Sequence, residues 1–281
     1  MHKRWEPWVL IGPGLVLYLI FGFAPLIMAV AGTVYEFGAY GLGWIGGSAY
    51  KAVFQSPAFW KSMLVTAKYV VYLLPSSMVL TVFCAMVLSW VGEKLQSIAR
   101  FVFVVPTIVS AMMISVAWKY LYAQQGIINR VLGTQIPFLG QNPYAFWSIA
   151  VMVLFTSIGG TVIYVTAAFL SVDTELYEAA KLDGCNRAQE TWHITLPVTM
   201  PILVFLTIQR LVGLLQTWQF PYAMTGGGPN YGTTTVLFYV FQEAFVNGRM
   251  PRAAVMSLVI LVASLLVLIP YRLISGKRIL E

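Results

Sequence analysis

The side chains in this sequence that could do chemistry are of binding types rather than reacting types. Arg210 is the only charge in the run 201–224. Beyond it, in the same run, come Gln216, Trp218, Gln219 and Tyr222. A guanidinium holds an anionic or polar group. Amides exchange hydrogen bonds with hydroxyls, and aromatic faces stack on C–H faces, so the set suits a polyhydroxylated ligand. Each residue also has a plainer reading. Arg210 could meet a carboxylate or backbone carbonyls on a partner, or reach out to an interface. Trp218 and Tyr222 could be interfacial aromatics.

Reacting constellations are missing from the sequence. Gly276-Lys277 lacks the upstream Gly and the following Ser or Thr of a phosphate-binding loop. Gly226, Gly227, Gly228, Pro229 and Asn230 follow no strand and read as a hinge or a close-contact loop. His2 and His193 are far apart in sequence. Cys84 falls in an apolar run and Cys185 in a polar one, so no pairing and no metal-ligand spacing is expected.

These residues have to be positioned in a lipid environment. Of 281 residues, 59% are hydrophobic and 10% charged, against about 25% charged in an ordinary soluble domain. Mean hydropathy is +0.79. A water-soluble globule of this size cannot bury so much apolar surface. The net charge of +7 comes from Lys and Arg scattered at the ends of apolar runs, as membrane topology requires, so no nucleic acid is implied. A spanning helix needs about 20 apolar residues. Charge-free runs then place six helices at about 9–34, 66–91, 99–121, 145–171, 201–223 and 252–273, in a single transmembrane domain over 1–281. The fold class is an all-α membrane protein, since alternating ten-residue segments are absent and backbone groups must pair internally. The first apolar core, about 22 residues, is longer than the 7–15 of a secretory signal and reads as a retained helix. Pro13, Pro25, Pro75 and Pro106 fall inside spans and are expected to kink them.

Orientation follows from the basic residues. With the N-terminus inside, Lys3, Arg4, Lys94, Arg100, Lys181, Arg187, Arg272, Lys277 and Arg278 are cytoplasmic. Lys51, Lys61, Arg130, Arg249 and Arg252 are outside. The bias puts both termini and the loop 173–200 in the cytoplasm. Lys68 and Lys119 fall at interfaces, and Trp5, Trp8, Trp44, Trp60, Trp118 and Trp147 near span ends, as an aromatic belt would.

The loop 173–200 is polar, about 28 residues long, and flanked by apolar runs; such loops are usually functional. Asp173 can cap a short helix with Glu175 in its first turn. Ala179 and Ala180 keep one face narrow. Asp183-Gly184 breaks the helix, and a second fits Asn186 to His193 with Pro197 marking its end. The outcome is a helix–turn–helix presented at one membrane face. On composition alone Glu178 is an ordinary solvated carboxylate.

Glu178-Ala179-Ala180, Asp183-Gly184-Cys185 and Ile194-Thr195-Leu196-Pro197 with Pro201 resemble the coupling loop of ABC-transporter permease subunits, in the form of the carbohydrate-importer branch. Thr225-Gly226-Gly227-Gly228-Pro229 and Ala244-Phe245 resemble that branch too, as does the spacing of spans over nearly the whole chain. Cys185 stands where Ala is usual. Thr191 stands where Phe is common, with Trp192 beside it. The resemblance implies a type I importer permease fold and import of a sugar or sugar derivative, acidic ones included, by alternating access; a non-sugar solute such as a phosphorylated polyol is the alternative. It implies a second permease, two ATPase subunits holding ATP and Mg, and an extracytoplasmic solute-binding protein. The site is a bacterial or archaeal inner membrane. The coupling residues would be Glu178, Ala179, Ala180, Asp183, Gly184, Cys185, Trp192, Ile194, Leu196 and Pro197. The loop from Gly226 to Asn230 would touch the binding protein. No cofactor and no catalytic residue is expected in this chain. An ion-driven secondary transporter would want paired intramembrane acids, and a membrane enzyme a His, Cys or carboxylate set; neither is present in the sequence.

Overall fold

A computed structural model describes residues 6–38 and 41–279, with side chains over 11–36 and 43–266. The expectations on Lys3, Arg4 and Trp5, and on the side chains of Trp8, Arg272, Lys277 and Arg278, lie outside these. The structure divides into two compact units: Met1–Trp60 with Tyr239–Ala263, and Lys61–Phe238 with Ser264–Glu281.

In the first unit, α1 (Glu6–Tyr18) runs through a π turn (Leu19–Phe23) into α2 (Ala24–Ala31). The π turn has a local cause. A proline ring at position i collides with the carbonyl of i−4. Pro25 follows the wide turn by two residues, and the extra residue moves that carbonyl aside. The sequence predicts no strands, yet a hairpin of β1 (Tyr35–Gly38) and β2 (Gly41–Trp44) follows, with Tyr35 and Trp44 packed edge to face at 4.9 Å. Next comes α3 (Ser48–Phe54). This unit also holds the end of α13 (Val236–Phe241), a π turn (Gln242–Val246) and the start of α14 (Met250–Ile279). Within the π turn the buried Glu243, 3% exposed, accepts from Asn247 Nδ2 at 2.7 Å. Its oxygens also face Arg249 at 3.7 Å and Arg252 at 3.8 Å.

The second unit is built on three long helices. α4 (Pro57–Trp90) is continuous through Pro75 for 34 residues, about 51 Å at 1.5 Å per residue. α8 (Tyr144–Leu170) follows two short helices, α6 (Ala111–Leu121) and α7 (Ile127–Leu132). α11 (Leu196–Leu215) is the third. One cluster of Tyr69, Leu73, Phe146, Ile149, Met152, Leu214 and their neighbours fills the space between them. A second, with Ala85, Val165, Phe169, Leu203 and Leu206, does the same near the other end of α8. α5 (Glu93–Ile108) lies against α8. A Cβ at Gly159 would collide with the Phe103 carbonyl oxygen. Only glycine lets these two backbones approach so closely.

Two expected spans differ in detail. The third is not one helix: α5 and α6 meet at a 99° bend. Pro106 removes an N–H near the end of α5, and Val109 and Ser110 are extended, with ψ 135° at each. The fifth ends at Leu215 rather than 223, because Gln216 leaves the helix, and α12 (Gln219–Thr225) is a separate turn of chain. Among the described residues, four helices are long and apolar enough to cross a membrane, or five if the bent pair is one span. The described apolar part of α14, Met250–Leu266, is shorter.

Candidate functional site

Three places in the second unit carry the polar groups. The first is the loop after α8. Asp173 accepts from Glu175 N at 3.1 Å and caps α9 (Thr174–Leu182). At its end Cys185 N donates to Ala180 O at 3.0 Å, and Gly184 takes φ +78°, a region open to glycine at little cost. Asn186 then forms a capping box: it accepts from Gln189 N at 2.9 Å while its own N–H donates to Gln189 Oε1 at 2.8 Å. The signal for this cap is Asn-x-x-Gln, which the sequence expectations above do not use. It starts α10 (Arg187–Glu190).

The second helix of the loop does not end at Pro197. A π turn (Thr191–Thr195) leads straight into α11, giving one helix from Arg187 to Leu215. Pro197 sits two residues past the wide turn, as Pro25 does, and the same displacement of the i−4 carbonyl explains it. Thus the loop's last segment and α11 form one continuous rod. One bond closes the loop on itself and one ties it to the bundle. Tyr177 and Thr195 share a hydroxyl hydrogen bond at 2.8 Å, and Arg187 Nη1 donates to Trp90 O at 3.3 Å. The alanine pair splits: Ala180 turns inward with Tyr177, and Ala179 is exposed. A one-residue step on a helix turns about 100°, so the two cannot share a face. Glu178, Asp183, Gly184 and Pro197 are exposed; Cys185, Ile194 and Leu196 are half-buried. Trp192 is 69% exposed and Leu182, at the tip of α9, 91% exposed. Leu182 is an exposed apolar side chain that the sequence expectations above do not single out.

The second place is a cavity of about 470 Å³ where the α5–α6 bend faces α8 and α11. Arg210 lines it and donates from Nη2 to the Ser157 hydroxyl. Its Nε is buried with no hydrogen-bond partner among the described residues. Gln209, Thr156, Thr161 and Tyr164 add polar groups, and among the described residues no Asp or Glu lines the space. Thr156 bonds back to Met152 O at 3.0 Å and Ser157 to Leu154 O at 3.1 Å. Their protons are used inside the helix, so their oxygens face the cavity as acceptors. Of the candidates in the run 201–224, Arg210 lines it, with Thr217 and Phe220 from the same run. Gln216, Trp218, Gln219 and Tyr222 do not, because the helix that would have aligned them stops at Leu215. The missed signal is Thr156-Ser157, Gly160-Thr161 and Tyr164, polar or small at helical spacing inside an apolar run.

The third place is the glycine-rich loop. Gly226 and Gly227 have φ +61° and +88°, and Asn230 and Tyr231 +50° and +58°. Thr225 and Thr233 share a hydroxyl bond at 2.7 Å, and Thr234 donates to Gly227 O at 2.9 Å. Thr66 Oγ1 accepts from Val236 N at 2.9 Å. Threonines 233 to 235 are fully buried. The loop is therefore a close-contact structure laced by hydroxyls. Gly228 and Pro229 are half-exposed and Asn230 is exposed.

Residues 77–279 match the family described as binding-protein-dependent transport system inner membrane component. The chain belongs to that family. It is thus an inner-membrane transport component that works with a binding protein. Two curated relatives are the sulfoquinovosyl glycerol transport system permease protein SmoG of Agrobacterium fabrum and the lactose transport system permease protein LacF of Rhizobium radiobacter. The first is 27% identical and the second 24%; each alignment covers 85% of this chain and 83% of the relative. In structure the chain superimposes with TM-score 0.85 on a chain of a bacterial ABC transporter involved in import of the acidic polysaccharide alginate. The two are 21% identical, with 97% of this chain and 96% of that one covered. The fold of this inner-membrane component is therefore the ABC-importer permease fold.

Proposed function

We propose that the chain is the permease subunit of an ATP-driven importer that moves a sugar or sugar derivative inward by alternating access. The Arg210 cavity carries the reading. It is polar, large enough for part of a saccharide, lined by hydroxyls and an amide, and holds one cation without a matching carboxylate. An unsatisfied buried guanidinium N–H is costly unless a ligand or partner accepts from it. An acidic saccharide would do so. The solutes for which the similar proteins are named, an acidic polysaccharide and lactose among them, support a sugar class. A phosphorylated polyol is the less favoured solute.

In this reading the termini and the loop 173–200 are cytoplasmic, and the chain pairs with a second, similar permease. Two ATPase subunits bind ATP with Mg and grip Glu178, Ala179, Asp183, Gly184, Leu182 and Trp192. Ala180, Cys185, Ile194 and Leu196 seat the loop from behind. Closure of the ATPases pushes on α9 and α10. Because the π turn runs without a break into α11, that push reaches Arg210 along one helix of 29 residues. The exposed rim of the glycine-rich loop, Gly226, Gly228, Pro229 and Asn230, meets the solute-loaded binding protein, while Gly227 packs behind it. Gln216, Trp218, Gln219 and Tyr222 lie beyond the cavity and would guide the solute toward it.

The test is uptake in proteoliposomes containing the whole complex and its binding protein, comparing a neutral with an acidic oligosaccharide. Arg210→Gln should abolish preference for the acidic one. Equal rates for both in the unaltered complex would remove the anion reading, and no uptake of either would remove the sugar class.

A further inference from the structure

A second pocket, about 330 Å³, lies between α4, the start of α8 and the residues after the glycine-rich loop. Lys61, Lys68, Tyr72 and Trp147 line it, and among the described residues no Asp or Glu does. Lys61, Leu64, Lys68 and Tyr72 recur at helical spacing, so they form one face of α4. Lys61 Nζ donates to Asn230 Oδ1 at 3.2 Å, which fixes it at the pocket edge. Lys68 has no hydrogen-bond or ion-pair partner among the described residues. Tyr72 and Trp147 pack at 5.2 Å.

The surface of α4 beyond the pocket decides the ligand class. Val71, Val79, Leu80, Phe83 and Val87 are all exposed, so an apolar stripe continues from the pocket toward Trp90. Trp90 is at the opposite polar face, because its carbonyl accepts from Arg187 of the loop. From Lys68 to Trp90 is 22 residues of α4, roughly 33 Å at 1.5 Å each. A bilayer hydrocarbon core is about 30 Å thick. Lys68 therefore stands at the far boundary of the hydrocarbon, where phosphate groups lie, with a Tyr–Trp pair of the kind that favours that depth. Two cations with no lining carboxylate favour an anion.

We propose that this pocket binds the headgroup of one anionic phospholipid, whose acyl chain lies along the exposed stripe of α4. The lipid phosphate sits between Lys61 and Lys68, beside the loop that begins at Gly226. It braces that loop from the membrane side through Asn230.

The full-length chain in mild detergent is titrated with phosphatidylglycerol or with phosphatidylcholine and analysed by native mass spectrometry. The expected result is retention of one phosphatidylglycerol at collision energies that strip phosphatidylcholine. K61Q/K68Q should cut retention at least fivefold, and K61R/K68R should keep it. Both lysines are exposed, and an unchanged melting temperature checks that the variants fold. Equal retention of both lipids by the unaltered chain, or full retention of phosphatidylglycerol by K61Q/K68Q, overturns the proposal. Displacement of the lipid by millimolar galacturonate or glycerol 1-phosphate also overturns it, and assigns the pocket to a soluble anion.

Discussion

Arg210 on α11 donates to the hydroxyl of Ser157, which is the midpoint of the 27 residues of α8. The bond ties the helix continuous with the loop to the helix at the centre of the core. The one cation of the cavity is thus held by a neutral hydroxyl, and its charge is left for something else.

Removing that charge should show in transport before it shows in stability. A hydrogen bond to a charged group contributes about 1.5–3 kcal/mol, so Arg210→Gln should slow uptake of an acidic saccharide by roughly tenfold to a hundredfold at 1.4 kcal/mol per decade. Neutral saccharide uptake should change by less than threefold. Ser157→Ala should have a smaller effect in the same direction. Initial rates with radiolabelled solutes measure both.

Gly184 makes the turn between α9 and α10 at positive φ. Gly184→Ala should cost the turn about 1–2 kcal/mol and reduce coupling partly. Gly184→Trp adds bulk on an exposed surface, where a Cβ would meet nothing within 4 Å, so the chain itself should fold. ATP hydrolysis should then continue while uptake falls more than tenfold. Intact uptake with normal assembly on size exclusion would remove the coupling role of this turn.

Gly159 has no such room. Gly159→Leu must force α5 from α8, because even a Cβ meets the Phe103 carbonyl. Overpacking costs about 1–3 kcal/mol or more, which lowers the melting temperature by roughly 2–12 °C at this size. Melting followed by intrinsic tryptophan fluorescence in detergent reads it. An unchanged midpoint would mean the two backbones are not in contact.

Glu243 sits buried beside two half-exposed arginines and is bonded to Asn247. Glu243→Ala removes the buried carboxylate that Asn247 and both arginines face, leaves a void in its place and should cost about 0.5–3 kcal/mol. Glu243→Gln keeps an acceptor for Asn247 and should cost less than half as much, since the arginines are partly in water. A larger loss in the Gln variant than in Ala would assign the site to charge rather than to hydrogen bonding.

Deleting Gly226–Pro229 removes the carbonyl acceptors to which Thr233 and Thr234 donate. Binding-protein stimulation of ATP hydrolysis should fall at least fivefold. An unchanged stimulation would count against this loop as the contact.

The sequence by itself determined the lipid environment, the approximate course of the apolar runs and the loop's helix–turn–helix, because composition, span length and capping are local properties. Asp173 and Gly184 act at their own positions, and no distant residue alters what they do. Tertiary structure decided the rest. The sequence does not say which proline breaks a helix: α4 runs on through Pro75, Pro197 follows a π turn within one continuous helix, and the chain bends 99° after Pro106. Which polar residues share a cavity depends on where α11 stops, and that separates Arg210 from Gln216 and Trp218. Ser157 reads as one more small residue in an apolar run until α11 brings a guanidinium to it.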